Sequence, residues 1–286
     1  MNNSKFELTW EGVRGYLLWF TLPLIAGILL AALIPQPVVG LINLNTTIDS
    51  YSAKSLISQI DYARDHSEVR AVVLILDSPG GTVADTEAVY LEILRLRKSK
   101  PVVASINSMA ASGAYYLAVG TDYAFAKPTS EVGNIGVIGY LPPIPTIFEG
   151  IISTGPYKLW GTPRDTYVRQ IEMIKQGFYN AVRAGRGDRL IAGPGTVLSG
   201  QIWPGSEALQ LGLIDELGAQ SDAIEKAARL GQISNFKVVD LSTLAASQPV
   251  TTFKFFATSS AGANLPYPKE PGIYLLYIPP VSTEQK

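Results

Sequence analysis

Residues 70–76 read Arg-Ala-Val-Val-Leu-Ile-Leu, which sets six apolar side chains in a row. A strand of this kind has no face to give to water, so it belongs in the buried middle of a sheet. Asp77-Ser78-Pro79-Gly80-Gly81-Thr82 follows at once, and then a Leu- and Glu-rich helical pattern over residues 83–97. The same alternation continues on both sides. Residues 38–44 read as a strand, and 52–64 as a helix with Ile57, Ile60 and Tyr62 turned inward. Residues 101–106 read as a strand, 112–119 as a short helix and 123–126 as a short strand. This βαβα rhythm predicts an α/β domain with parallel strands. A longer helix is expected from Thr162 to about Gly185, with Thr162 as its cap and Pro163 in its first turn. Residues 206–211 and 221–230 read as two more helices. After Leu241 the chain is rich in Ser, Thr, Ala and Pro, with one strand expected at residues 273–278.

Residues 16–34 contain no charge. A helix needs about 20 mostly apolar residues to span a bilayer's hydrocarbon. This run reaches that length, and Pro23 would kink it without excluding it. Tyr16, Trp19 and Phe20 lie near one end, as interfacial aromatics do. A buried core helix and a cleaved signal peptide are the competing readings. No Ala-x-Ala site follows the run, and it is longer than the usual signal-peptide core, so an uncleaved anchor is expected. Lys5 and Arg14 precede it and the next cation is Lys54, so the N-terminus is expected in the cytoplasm and the rest outside. The expected division is a cytoplasmic segment 1–15, a transmembrane anchor 16–34, a domain 35–240 and a C-terminal tail 241–286.

Composition removes several chemistries. There is no cysteine, hence no thiol nucleophile, disulfide or thiolate metal site. With a single histidine, His66, no intrachain multi-histidine zinc site can form, and a Ser-His-Asp triad would have to use that residue. His66 lies in the polar turn Arg64-Asp65-His66-Ser67-Glu68, where a solvated ring is expected. The 23 Lys and Arg against 24 Asp and Glu leave a net charge of -1, which offers no basic surface for nucleic acid. Charged residues make up 16%, against a usual share of about 25%, which points to a membrane segment, a large buried interface, or both. No metal and no cofactor is expected.

Three segments carry candidate chemistry. In Asp77 to Thr82, the Gly80-Gly81 pair lets backbone N–H groups approach a ligand oxygen, although an ordinary βα turn explains the hexapeptide equally well. It has neither the lysine of a phosphate loop nor the dinucleotide fingerprint. In Ser108-Met109-Ala110-Ala111-Ser112-Gly113-Ala114-Tyr115-Tyr116, a strand ends and a serine opens a helix. That serine is either an N-cap or a nucleophile placed where negative charge is favoured. In Gly155-Pro156-Tyr157-Lys158-Leu159-Trp160, a lysine stands among apolar and aromatic neighbours that could bury its amine; a surface loop lysine is the alternative. If Ser112 is a nucleophile it needs a base, and a lysine is the natural one. A lysine base must be neutral, which requires a drop from about 10.4 to about 7–8. Desolvation can supply such a drop, and no acid lies within residues 154–162 to oppose it.

Taken together, the segments resemble the signal peptide peptidase A (SppA) family of membrane-anchored Ser-Lys proteases, on the ClpP/crotonase fold. The likeness runs over residues 38–230. The family's Ser-Pro-Gly-Gly loop stands at Ser78 to Gly81. Its Ala-Ala-Ser-Gly-Gly-Tyr-Tyr motif stands at Ala110 to Tyr116, with Ala114 in place of the second Gly. Its Gly-x-Tyr-Lys motif stands at Gly155 to Lys158, and its Gly-Leu-Ile-Asp stretch at Gly212 to Asp215, within Gly200 to Gly218. The resemblance implies an α/β ClpP/crotonase-like fold preceded by one transmembrane helix. It implies Ser112 as nucleophile, Lys158 as general base, and the N–H groups of Gly81 and Gly113 as the oxyanion hole. Where the family often has Gly-Ser-Ile-Gly, this chain has Gly133-Asn134-Ile135-Gly136, so Asn134 takes the position of a serine thought to orient the lysine. The family assembles as rings in which the Ser and Lys of one site can come from different subunits, so a homo-oligomer is implied.

The function expected is a membrane-bound serine endopeptidase that degrades signal-peptide remnants or other apolar membrane-derived peptides, bound as added strands. The alternatives are a stomatin-operon-type Ser-Lys protease acting on a specific membrane protein, a crotonase-fold acyl-CoA enzyme, and a non-catalytic scaffold. For the tail, a flexible extension competes with a strand at residues 273–278 that lies in the active-site groove and gates substrate.

Overall fold

The computed structural model describes residues 14–32, 36–140, 154–155, 157–158, 163–245, 256–258, 264–268 and 272–277. The chain opens on a helical segment in which a π-turn, Leu17–Thr21, runs into α1 (Leu22–Ala32). Among the described residues no helix is long and apolar enough to cross a membrane. The segment's large apolar side chains are nevertheless exposed, Trp19 at 79% and Leu24 at 64%.

The domain proper begins with β1 (Val38–Leu44), α2 (Ser50–Asp65), β2 (Val69–Ser78), β3 (Gly80–Thr82), α3 (Val83–Arg97) and β4 (Val102–Ala111). It continues with α4 (Gly113–Val119), β5 (Tyr123–Ala126), β6 (Glu131–Gly133), β7 (Ile138–Tyr140), α5 (Arg164–Arg186) and α6 (Pro194–Val197). Then come β8 (Ile202–Pro204), α7 (Gly205–Gln210), β9 (Glu216–Leu217), α8 (Gln220–Leu230) and β10 (Lys237–Asp240). Past Leu241 lie β11 (Phe256–Thr258), β12 (Asn264–Pro268) and β13 (Gly272–Leu276). The main sheet has the order β10-β1-β2-β4-β5-β9, parallel throughout, with β6 joining the end of β4 and β8 pairing antiparallel to β6.

The apolar run at residues 71–76 of β2 is buried on both faces. Side chains alternate across a strand. Val72, Leu74 and Leu76 therefore join Leu56, Ile60, Val89 and Ile93 of α2 and α3 on one side. Ala71, Val73 and Ile75 join Val103, Phe125, Ala223 and Ala227, from β4, β5 and α8, on the other. Asp49 caps α2 in a capping box with Ser52, which ends β1's connection cleanly.

Three expectations are corrected. The segment 77–82, expected as a loop, is partly strand, because β2 runs on to Ser78 and β3 begins at Gly80. Likewise β4 does not stop near residue 106: its small residues Ala110 and Ala111 pack fully buried and pair on to β6, Ala110 with Val132 and Ala111 with Gly133. The long helix has no side-chain cap and opens after Pro163; Thr162 lies outside the described residues.

The Gly-Leu-Ile-Asp stretch braces the helix that follows Ser112. Gly212 sits at φ +74, where a side chain would be strained. Its carbonyl accepts from Arg186 Nε at 2.8 Å, and the next carbonyl, Leu213 O, accepts from the Tyr115 hydroxyl at 2.8 Å. The Asp215 side chain is 3% exposed and accepts from Arg186 Nη1 at 2.8 Å and Nη2 at 2.9 Å, from Arg189 Nη1 at 2.6 Å and from the Ala124 amide at 2.8 Å. Burial alone would raise the Asp215 carboxyl; the Arg186 guanidinium, the Ala124 amide and Arg189 outweigh it and hold the carboxyl below its usual range. A depressed folded pKa contributes stability above the unfolded value of about 3.9, lost as pH falls through the folded one. An Asp215→Asn protein, which leaves Arg186 buried and unmatched, is expected to lose about 3–5 kcal/mol in urea unfolding at pH 7. The gap between it and the parent should shrink below about pH 4. An unchanged unfolding midpoint would refute the bracing role.

Candidate active site

Ser112 is the joint between β4 and α4. Its backbone is held at φ 53, ψ -116, outside the regions an L residue favours. The amide donates to Gly133 O at 2.8 Å, and the carbonyl accepts from the Tyr116 amide at 2.9 Å. The side chain makes no capping bond to the helix, so the N-cap reading fails. The residue is 1% exposed and its hydroxyl has no hydrogen-bond partner among the described residues. Leaving a buried hydroxyl unsatisfied costs about 1–3 kcal/mol. A group held that way is available to something that enters the site.

Two amides converge beside it. Gly80 O accepts from the Ile48 amide at 2.8 Å, and the Thr82 amide donates to Ile48 O at 2.9 Å. No peptide bond in the described chain is cis, so the Gly81 N–H points away from Ile48, opposite to the Gly80 carbonyl. Gly113 opens α4, so its N–H has no acceptor within the helix. A β-carbon built on Gly113 would lie 3.2 Å from Gly81 N, and one built on Gly80 would lie 2.6 Å from Gly113 N. Glycine is required at Gly80, which sits at φ +95, and at Gly81, where a β-carbon would meet the Ile48 backbone, 2.6 Å from its nitrogen.

The convergence point is filled by the chain's own tail. The strand expected at residues 273–278 lies at Gly272–Leu276 and runs as β13 between β3 and β7. Tyr274 pairs with Thr82, Leu275 with Gly81 and Leu276 with Gly80 on one edge. Gly272, Ile273 and Tyr274 pair with Tyr140, Gly139 and Ile138 on the other, both edges antiparallel. The Tyr277 amide then donates to Pro79 O at 2.7 Å. Leu275 O is 3.0 Å from the β-carbon position of Gly113, in contact with that of Gly80, and directly opposite Gly81. An extended peptide thus passes the serine with one carbonyl opposite Gly81 and close to the start of α4.

The other expected site residues are placed differently. Lys158 is exposed in the single chain, and its amide donates to Gly155 O at 3.1 Å to close a turn. The burial expected from its neighbours is absent at Lys158 itself, Tyr157 is 63% exposed, and Leu159 and Trp160 lie outside the described residues. The structure does not bring Lys158 onto the Ser112 hydroxyl. Asn134 follows Gly133, whose carbonyl holds the Ser112 amide, and takes φ 52. Its side-chain amide donates to Gly200 O at 2.7 Å and its backbone amide to Gln201 O at 2.7 Å, so it fixes the neighbouring loop.

His66 is excluded as a triad member. Half-buried, it stacks on Tyr62 with ring centroids 3.7 Å apart and ends α2 ahead of β2. Ser112 lies at the other end of that strand, where Ser78 pairs with Ala110. At about 3.3 Å per residue, the length of β2 separates them by about 30 Å. Among the described residues no group of three or more His, Cys, Asp or Glu is placed to hold a metal ion. One contributor carries no signal in the sequence. Ile48 positions the Gly80-Gly81 peptide through main-chain bonds that leave no mark in side-chain identity. Leu275 belongs to the strand expected in the groove, and only its register against Gly81 is new.

A hydroxyl freed of partners next to two converging N–H groups is the arrangement that attacks a carbonyl and stabilises the resulting oxyanion. Comparison with known proteins finds peptidases. The peptidase family S49 matches residues 95–234, and the Clp protease family matches residues 39–132. A putative protease of Synechocystis is 31% identical over 195 residues, 63% of this chain and 69% of the relative. A putative protease of Methanocaldococcus jannaschii is 30% identical over 201 residues, 66% of this chain and 65% of the relative. The chloroplastic serine protease SPPA of Arabidopsis thaliana is 30% identical over 223 residues, 73% of this chain and 33% of the relative. The chain therefore spans less than two thirds of the archaeal and plant relatives' lengths.

Proposed function

The chain belongs to peptidase family S49, and on that premise we propose that it is a serine endopeptidase acting on extended apolar peptides. One observation carries the reading: a peptide strand lies in the groove with the Leu275 carbonyl opposite Gly81 and close to Gly113, beside a buried serine hydroxyl that has no partner among the described residues. A substrate would pair with the β3 and β7 edges in the same way. Ser112 Oγ attacks its carbonyl carbon, and the oxyanion forms against the two N–H groups. The hydroxyl proton passes to a neutral lysine and on to the leaving amine as the peptide bond breaks. Water then attacks the acyl-serine, its proton goes to the same base, and the acid product leaves with Ser112 restored.

Lys158 is the residue proposed as that base. Its exposure in one chain favours delivery to the serine of a neighbouring copy in a homo-oligomeric ring. A peptide in the groove also favours a peptidase over an acyl-CoA enzyme that would use the same amides. We further propose that residues 16–34 anchor the protein, with the N-terminus cytoplasmic and the domain on the other side. The exposed Trp19, Phe20, Leu24 and Leu29 support this, since a monomer in water rarely shows so continuous an apolar surface. Tethered there, the site would meet signal-peptide remnants and other membrane-derived peptides.

The test is product analysis of apolar peptides incubated with the full-length protein in detergent micelles. Internal cleavage is expected. Intact peptides, alongside turnover of an acyl-CoA thioester, would overturn the assignment.

A further inference from the structure

Next to the serine, on the side where the tail leaves the groove, a cavity of about 730 Å³ opens between β2, β4 and β6. Asp77, Ser78, Pro79, Ser108, Met109 and Glu131 line it, and Tyr277 of the tail stands at its wall. We propose that this cavity is the subsite for the substrate residue two places beyond the cleaved bond, and that it selects a lysine or arginine there. The inference rests on the endopeptidase reading above.

The register of β13 fixes the position. With the Leu275 carbonyl opposite Gly81 and close to Gly113, the bond in line for attack in a like-bound peptide is the one between the Leu275 and Leu276 places. Leu276 pairs with Gly80, and the next amide, that of Tyr277, donates to Pro79 O at 2.7 Å. The main chain of a substrate residue at the Tyr277 place is thus tied to the cavity's own lip.

The lining determines the side chain. Pro79 and Met109 give an apolar wall. Asp77 stands at the end of β2, and Glu131 stands opposite Met109 across the β4–β6 pair. Asp77 accepts from the Ser108 hydroxyl at 3.1 Å, and among the described residues neither carboxylate has an ion-pair partner. Among the described residues no lysine or arginine lines the cavity. A long basic side chain lays its methylenes along Pro79 and Met109 and brings its cation to the two carboxylates. An acidic side chain meets like charge. The tail's own Tyr277 brings no cation, so a basic substrate has an interaction the tail lacks.

Three apolar peptides that differ only at the second residue past the cleavage point, carrying Lys, Tyr or Glu, test this with the full-length protein. The Lys peptide should exceed the Glu peptide in kcat/KM by about 10-fold or more at low salt, and the ratio should shrink as salt screens the pair. In an Asp77→Asn, Glu131→Gln double variant the Lys and Glu peptides should be cleaved at equal rates. Equal rates in the unaltered protein, or a salt-insensitive ratio, would overturn the subsite. Failure to cleave any of the three would instead remove the endopeptidase reading.

Discussion

Ser112→Ala and Lys158→Ala proteins are each expected to cleave peptide more slowly than the parent by about 10⁴-fold or more, because the proposed nucleophile and base act as one unit. Folding should survive both changes. Alanine at residue 112 removes only a hydroxyl that bonds to nothing described, and Lys158 is exposed. The two inactive proteins are then informative together. Among the described residues of one chain the Ser112 hydroxyl has no partner and Lys158 is exposed, so the site is proposed to be completed between copies. Mixing the two proteins under conditions of proven subunit exchange should restore activity, since some sites then pair an intact serine with an intact lysine. No recovery would assign the lysine to the serine of its own chain. Unimpaired hydrolysis by either single variant would remove that residue from the chemistry.

Ending the chain at Ala245 removes the strand that fills the groove, and kcat/KM toward apolar peptides should rise by about 10-fold or more. The tail is tethered, so it competes at an effective concentration on the order of mM. It also uses the same main-chain partners that a substrate strand needs, on both edges. Most of the gain should appear as a lower KM, because the deletion touches neither Ser112 nor the amides. Supplying a free peptide of sequence Gly-Ile-Tyr-Leu-Leu-Tyr at mM concentration should bring the rate of the shortened protein down again. Unchanged activity in a shortened protein with intact circular dichroism would mean that β13 leaves the groove too readily to matter. Leu275 and Leu276 are 0% and 3% exposed, so the deletion uncovers apolar surface, and the dichroism control is needed.

The parallel sheet was readable because its central strands are apolar on both faces, and β1, α3 and β5 lie where periodicity put them. The short strands β6 to β10 were not readable. They run two to four residues, too few to show a period, and exist because neighbouring strands offer paired edges. At the site, Ser112, Gly81 and Gly113 stand out only through the family resemblance, because each segment alone reads equally as an ordinary cap or turn. What the sequence could not show was the positive φ of Ser112, the part of Ile48, or the exposure of Lys158 in one chain. Those depend on contacts between residues far apart in sequence. The Gly-Leu-Ile-Asp stretch was recognisable as a pattern, but its physical work, holding Tyr115 and Arg186, emerged only from the packed structure.

The most direct measurement is peptide mapping by mass spectrometry after treatment with a peptidyl fluorophosphonate of apolar sequence. The account predicts one adduct, on Ser112, formed faster when the tail is removed and lost in the Lys158→Ala protein. An adduct on any other residue, or an unlabelled Ser112 in protein that still hydrolyses peptide, would contradict it.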